Sequence, residues 1–151
     1  MLFEIMVYVG HTYLSSVECD AAGIDYFSTP YDFEAVEMLR PFVDVFKIGH
    51  HGSIHSNGTT VYETITADHY VFSASGEHGN PHPDTLTALF ETQVGRPISV
   101  YLTNHPEAGA VKPTDAIKAR EAQRILDVAS KNPNVTVQYR ADSDRAVVIA
   151  P

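Results

Sequence analysis

The segment Val43–Gly58, VDVFKIGHHGSIHSNG, joins a short apolar stretch to a loop rich in histidine. Its apolar start predicts a buried strand, and His50 and His51 follow directly at the carboxyl end of that strand. In open α/β sheets, ligands bind outside the carboxyl ends of the strands. The neighbouring Gly49 and Gly52 allow backbone angles that would turn the two imidazoles into a cleft. The segment therefore predicts a binding site at a sheet edge.

A second histidine loop, His78–Pro83 (HGNPHP), follows another apolar stretch, Tyr70–Ala74. Pro83 is expected at the first position of the next helix, which places His82 at the N-cap. His82 is then either a helix cap or an imidazole held at the sheet edge for function. For the His50–His51 pair, the alternative is a solvated loop without a role. The preceding strand, the glycines and the second loop favour a functional pair.

Apolar periodicity along the rest of the chain alternates between the patterns of strands and helices. Strands are predicted at residues 1–9, 24–29, 43–48, 69–74, 98–102, 135–139 and 146–149, and helices at residues 33–40, 83–90 and 113–131. This alternation predicts a layered α/β domain. The length of 151 residues suits a single domain.

Composition and charge exclude several classes of protein. The chain has 10 Lys and Arg against 19 Asp and Glu, a formal net charge of −9, which opposes nonspecific binding to nucleic acid. The single cysteine, Cys19, cannot form an internal disulfide, so a cytoplasmic location is expected. The apolar start of the chain is too short to span a bilayer, and no membrane segment is expected. Most of the eight histidines lie in residues 50–82.

Two motifs in succession resemble those of a known family. Val43–Ser53 (VDVFKIGHHGS) followed by Tyr70–Pro83 (YVFSASGEHGNPHP) is similar to the metallo-β-lactamase superfamily, in particular to the hydrolase domain of competence membrane proteins for DNA uptake and its stand-alone relatives. Upstream, Ser15–Asp32 has the length of the strand, turn and strand that precede these motifs in the family. The resemblance covers about residues 15–103. It implies the C-terminal half of a four-layer αββα sandwich, with a mixed sheet and flanking helices.

The resemblance implies a metal ion, zinc or manganese, near the two histidine loops. Asp32 falls at the position of the metal-bridging aspartate, although Tyr31 stands where the family usually has glycine. One or both of His50 and His51 are implied as ligands, with His51 preferred. His50 and His82 are the catalytic candidates, because an imidazole next to the metal would contact phosphate or carboxylate oxygens of the substrate. Asp32 could also serve as an ordinary helix N-cap.

Polar residues of the two loops are implied as further contacts. Ser53 is a candidate for substrate binding or, like Ser56, for orienting the imidazoles. An ordinary loop serine is the alternative, and the favoured one for Ser56. Asn80 is implied to contact substrate, but Gly79-Asn80-Pro81 is equally typical of a plain turn.

The family's His-x-His-x-Asp-His motif is absent from this sequence. The chain therefore resembles a half-fold whose partner is the N-terminal half or a second copy of itself, with low metal occupancy expected in the isolated chain. Two functions stay open. The first is a metal-dependent hydrolase, with a phosphoester or other small molecule as substrate, which could be inactive alone. The alternative is a non-catalytic, self-associating α/β module, and nucleic-acid binding ranks last because of the charge.

Overall fold

The computed structural model describes residues 6–9, 12–15 and 43–140, and the chain divides into two compact units, Met1–Pro41 and Phe42–Pro151. In the first unit, β1 (Met6–Val9) pairs with β2 (Thr12–Ser15) in an antiparallel hairpin. The strand predicted at the start of the chain is confirmed over β1. The strands predicted at residues 24–29 and 146–149, the helix at 33–40 and the metal candidate Asp32 lie outside the described residues.

The second unit alternates strands with helices, as predicted. Its elements are β3 (Val45–Lys47), α1 (Thr59–Thr64), β4 (His69–Phe72), α2 (Pro83–Thr92), β5 (Ile98–Leu102), α3 (Pro113–Ala129) and β6 (Val135–Tyr139). The four strands form a parallel sheet in the order β3-β4-β5-β6. This sheet and its helices confirm the α/β class. The mixed sheet and the four-layer sandwich that the resemblance implies stay predictions.

The core lies between the sheet and the helices. On β4, Tyr70 and Phe72 are fully buried while His69 and Val71 are half-buried, which is the alternation expected of a strand with one face on the core. The buried side chains that meet across this layer are Val100 and Leu102 of β5, Leu86 and Leu89 of α2, and Ala122 and Leu126 of α3. Each large apolar side chain buried in this way contributes about 1.5–3 kcal/mol.

The helices begin and end where local chemistry favours it. α3 begins at Pro113, whose ring fixes a helical φ at a position where the missing N–H costs nothing. Asp115 in its first turn interacts favourably with the helix dipole. Buried residues recur at Ala119, Ala122 and Leu126, the spacing of one helix face. No helix in residues 43–140 has the length and apolar character needed to cross a bilayer.

In the second unit, three short elements lie where the sequence predicts no bounds. α1 contains Thr59, Thr60 and Val61, β-branched residues that favour strands, and it is held by packing of the buried Tyr62. Single 3₁₀ turns occupy Gly49–Gly52 and Glu77–Gly79, in the segments that follow β3 and β4. Because the strands are parallel and adjacent in chain order, both turns lie at the same edge of the sheet.

Candidate functional site

The carboxyl edge of the parallel sheet carries an open cavity of about 320 Å³. Its described lining comes from the segments that follow β3, β4 and β5: His51, Ser73, Ala74, Ser75, Glu77, His78, Asn80, Thr103 and Asn104. This is the position at which ligands bind in open α/β sheets. The structure therefore confirms that the two histidine loops meet at one sheet edge.

The first histidine loop has an unusual backbone. His50 and His51 have φ values of 45° and 58°, in the left-handed region that side chains with a Cβ rarely adopt. Asn57, which is 1% exposed, fixes this loop by donating from Nδ2 to the carbonyl oxygens of Gly49 at 2.9 Å and Ser53 at 2.8 Å. Non-glycine residues in such conformations persist where the surrounding structure enforces them, and they cluster at functional sites.

Gly52 connects the first loop to the second. Its carbonyl oxygen accepts a hydrogen bond of 3.0 Å from the backbone N–H of His82. At its φ of 84°, a Cβ atom would lie 2.9 Å from Cδ1 of Phe72 and 3.0 Å from Cβ of Pro81. Glycine is therefore required at this position both for its conformation and for the close approach of the two loops.

One ring nitrogen of His51 is hydrogen-bonded to the protein backbone. Its Nδ1 is hydrogen-bonded to the backbone carbonyl oxygen of Ser73, at the end of β4. A carbonyl oxygen only accepts, so Nδ1 carries the proton. In neutral His51 the free lone pair is consequently on Nε2, which is the arrangement that metal-binding histidines have when a backbone carbonyl orients them.

His50 is bonded differently. Its Nδ1 lies 2.6 Å from the hydroxyl oxygen of Ser56, which can act as donor or acceptor. The tautomer of His50 therefore stays open. Within residues 43–140, the hydroxyl of Ser53 makes no hydrogen bond to either imidazole, so Ser56 orients His50 and the carbonyl of Ser73 orients His51.

His82 occupies the N-cap of α2, as predicted from Pro83. Its Nδ1 accepts a hydrogen bond of 3.2 Å from the backbone N–H of Asp84, which means that the proton of the neutral ring is on Nε2. Burial lowers the pKa of His82 below its usual value; the nearby Asp84 opposes this shift, whereas Lys118 and His55 add to it. His82 thus favours the neutral state and offers an N–H donor.

The predicted site residues are brought together only in part. His51 and Asn80 line the cavity, His82 is tied to the first loop through Gly52, and Ser53 follows that loop. In the described ranges, no three His, Cys, Asp or Glu side chains lie close enough together to hold a metal ion. Asp32 lies outside those ranges, so the predicted ligand set stays a prediction.

Several lining residues were given no role by sequence reasoning, although His78 belongs to the predicted second histidine loop. Glu77 and His78 lie in the 3₁₀ turn after β4, and Thr103 and Asn104 follow β5 directly. Their positions at strand ends were the available signal. A hydrogen bond holds Asn104 in the lining of the cavity, since its Nδ2 donates to the carbonyl oxygen of Ala74 at 3.2 Å.

Comparison with known proteins adds no assignment. No protein-family model matches the chain, and neither a curated protein nor a solved structure is significantly similar to it.

Proposed function

We propose that this chain is the C-terminal half of a metal-dependent phosphoester hydrolase of the metallo-β-lactamase type. The observation that carries the proposal is the opposite protonation of two imidazoles at one sheet edge. His51 has a free lone pair on Nε2, whereas His82 has a proton on Nε2. One is suited to bind a metal ion and the other to donate a hydrogen bond to an oxyanion.

In this proposal His51 is a zinc or manganese ligand through Nε2, with His50 beside it. The donor chemistry of His51 fits one coordination position. A catalytic zinc needs three protein ligands, and residues 43–140 do not bring three such groups together. The proposal therefore requires Asp32 and groups from the N-terminal half of the fold or from a second copy. When bound, the metal supplies a water whose pKa is lowered to ≈ 7.

The remaining residues act on the substrate. His82 donates from Nε2 to a phosphoryl oxygen, and its neutral state leaves that proton in place for a hydrogen bond. Asn80, whose side-chain amide has no hydrogen-bond partner within residues 43–140, contacts the substrate through the cavity. Ser53 follows the imidazole pair and completes the polar rim of the first loop.

Zinc binding by the full chain tests the metal part of the proposal. Isothermal titration with Zn²⁺ is expected to show saturable binding, and His51→Gln is expected to weaken it at least tenfold because a ligand is lost. His105→Gln, which removes an exposed imidazole that does not line the cavity, is the matched control and should bind as the wild type does. Wild-type protein that binds neither zinc nor manganese, both alone and together with the N-terminal half of the fold, would overturn the proposal.

Hydrolysis tests the second imidazole. His82→Asn keeps a good N-cap residue but removes the Nε2–H donor. With zinc bound, we expect this variant to retain metal affinity while hydrolysis of bis(4-nitrophenyl) phosphate falls about 10²-fold or more. Equal hydrolysis by the variant and the wild type would contradict the role given to His82.

A non-catalytic, self-associating module is the second candidate. It is favoured by exposed apolar side chains on both edge strands of the described sheet, Val45 on β3 at 46% and Tyr139 on β6 at 38%. Open sheet edges promote pairing with another chain. Protein that sediments as a dimer and hydrolyses no phosphoester even when zinc and the N-terminal half of the fold are added would favour this function over the first.

A further inference from the structure

We propose that the cavity at the carboxyl edge binds an uncharged, hydroxyl-rich group such as the adjacent hydroxyls of a sugar. Glu77, His78 and Asn80 form its recognition wall. The inference concerns binding alone, so it holds whether or not the site hydrolyses phosphoesters.

The wall is built rigidly. Gly76, with φ 83°, has its α-carbon so close to the next loop that a Cβ atom would lie 1.8 Å from the carbonyl oxygen of Pro106. A Cβ atom on Gly109 would lie 2.6 Å from the carbonyl oxygen of Ser75, which accepts the N–H of Gly109 at 2.6 Å. The turn after β4 therefore packs directly against the loop after β5. A wall that is ordered before binding loses less entropy when a ligand enters.

His78 is held in a strained conformation on this wall. Its φ of 58° lies in the left-handed region, yet the side chain is exposed and gains no burial in return. The adjacent Gly79 is pressed against the side chain of Lys118, since a Cβ atom on this glycine would lie 2.6 Å from Cδ of that lysine. Strain of this kind, without a packing benefit, is typical of ligand clamps. Nε2 of His78 lies 3.6 Å from Oε1 of Glu77 and both side chains are largely exposed, so two adjacent polar groups are accessible to a ligand.

The hydrogen-bonding capacity of the lining selects the ligand class. Glu77 only accepts, whereas the amide of Asn80 both donates and accepts and has no partner within residues 43–140. The hydroxyl of Ser73 also does both, whereas the hydroxyl of Thr103 already donates to the carbonyl oxygen of Phe72 at 3.5 Å and accepts from Nδ2 of Asn104 at 3.3 Å. None of the described lining residues is Lys or Arg, and the one fixed charge is negative. Without a bound metal ion, an anion would face this carboxylate with no cation among the described lining residues, whereas a hydroxyl group can donate to Glu77 and accept from Asn80.

Binding of D-ribose to the full chain, followed by ¹H–¹⁵N NMR without added metal, tests the inference. We expect saturable shifts at residues 51, 73–80, 103 and 104. Glu77→Gln keeps the shape of the side chain but removes the charged acceptor, and it should weaken ribose binding about tenfold or more. Glu91→Gln, an identical change at an exposed position of α2 outside the cavity, should leave binding unchanged.

Three results would overturn the inference. They are the absence of saturable shifts with ribose, equal weakening by Glu77→Gln and Glu91→Gln, and inorganic phosphate causing the larger saturable shifts at the same residues. This measurement involves neither a metal ion nor hydrolysis, so a chain that does not bind ribose would leave the proposed hydrolase function untouched. Conversely, a chain that does not bind zinc could still bind ribose.

Discussion

At the scale of single residues, a backbone group sets the chemistry of each key imidazole. The carbonyl of Ser73 fixes the proton of His51 on Nδ1, and the N–H of Asp84 fixes that of His82 on Nε2. Two identical side chains thereby acquire opposite hydrogen-bonding characters on their outer nitrogens. This difference is what allows one to be proposed as a ligand and the other as a donor.

The lowered pKa of His82 makes stability depend on pH. Because burial depresses the pKa in the folded state, the unfolded chain binds more protons between the folded pKa and about 6.5. The contribution of His82 to the free energy of unfolding is therefore complete above about pH 6.5 and is lost as the pH falls toward the folded pKa. Urea unfolding of the wild type from pH 8 to pH 5 measures this loss.

Two variants isolate that contribution. His82→Asn retains an N-cap but does not titrate, so its loss of stability between pH 8 and pH 5 should be smaller than that of the wild type. His82→Ala removes the cap and should cost about 1 kcal/mol at pH 8. An identical pH dependence in His82→Asn and the wild type would show that His82 does not contribute.

Residue patterns allowed part of the site to be predicted. The N-cap position of His82 follows from the proline after it, and the aim of His50 and His51 toward a sheet edge follows from the apolar strand before them. The tautomer of His51 could not be predicted, because the carbonyl group that fixes it belongs to Ser73, 22 positions away in sequence. Glu77 was missed, and His78, which begins the second histidine loop, was given no role of its own, because no periodic pattern marks a strained 3₁₀ turn.

At the scale of elements, Gly52 links the loop after β3 to the start of α2. Replacement by alanine would add both a strained φ and a clash with Phe72 and Pro81, so we expect Gly52→Ala to destabilise the fold by about 2–4 kcal/mol. Gly95→Ala is the matched control. Its φ is 81°, but a Cβ atom there meets nothing within 4 Å, so only the conformational cost of about 1 kcal/mol is expected. Chemical denaturation of both variants measures the difference.

Equal destabilisation by the two alanine substitutions would contradict the close approach of the histidine loops. The result bears on the site as well as on the fold, because Gly52 accepts the backbone N–H of His82. A larger effect of Gly52→Ala, accompanied by altered NMR signals of both histidine loops, would support their coupling.

Element boundaries were predicted well where an apolar pattern and a stop signal coincide. β5 and β6 match their predicted ranges, and α3 begins at the predicted Pro113. The bounds of α1 could not be predicted because its β-branched residues favour a strand locally, and the packing of Tyr62 outweighs that preference. Local propensity cannot reveal such tertiary contacts.

At the scale of the whole molecule, the described parallel sheet is sequential, with each strand paired to its neighbour in the chain. This order gathers the ends of β3, β4 and β5 at one edge and creates the cavity there. The α/β class followed from the alternation of strands and helices. The four-layer metallo-β-lactamase sandwich stays a prediction, because its other half would come from the N-terminal half of the fold or from a second copy.

The protonation of the two imidazoles tests the central claim most directly. Long-range ¹H–¹⁵N NMR of the full chain at pH 8 reports which ring nitrogen of each histidine carries the proton. We predict the Nδ1–H tautomer for His51 and the Nε2–H tautomer for His82, and we predict that zinc shifts Nε2 of His51 while the ring of His82 keeps its proton. The same tautomer in both histidines, or zinc bound at His82 instead of His51, would contradict the account.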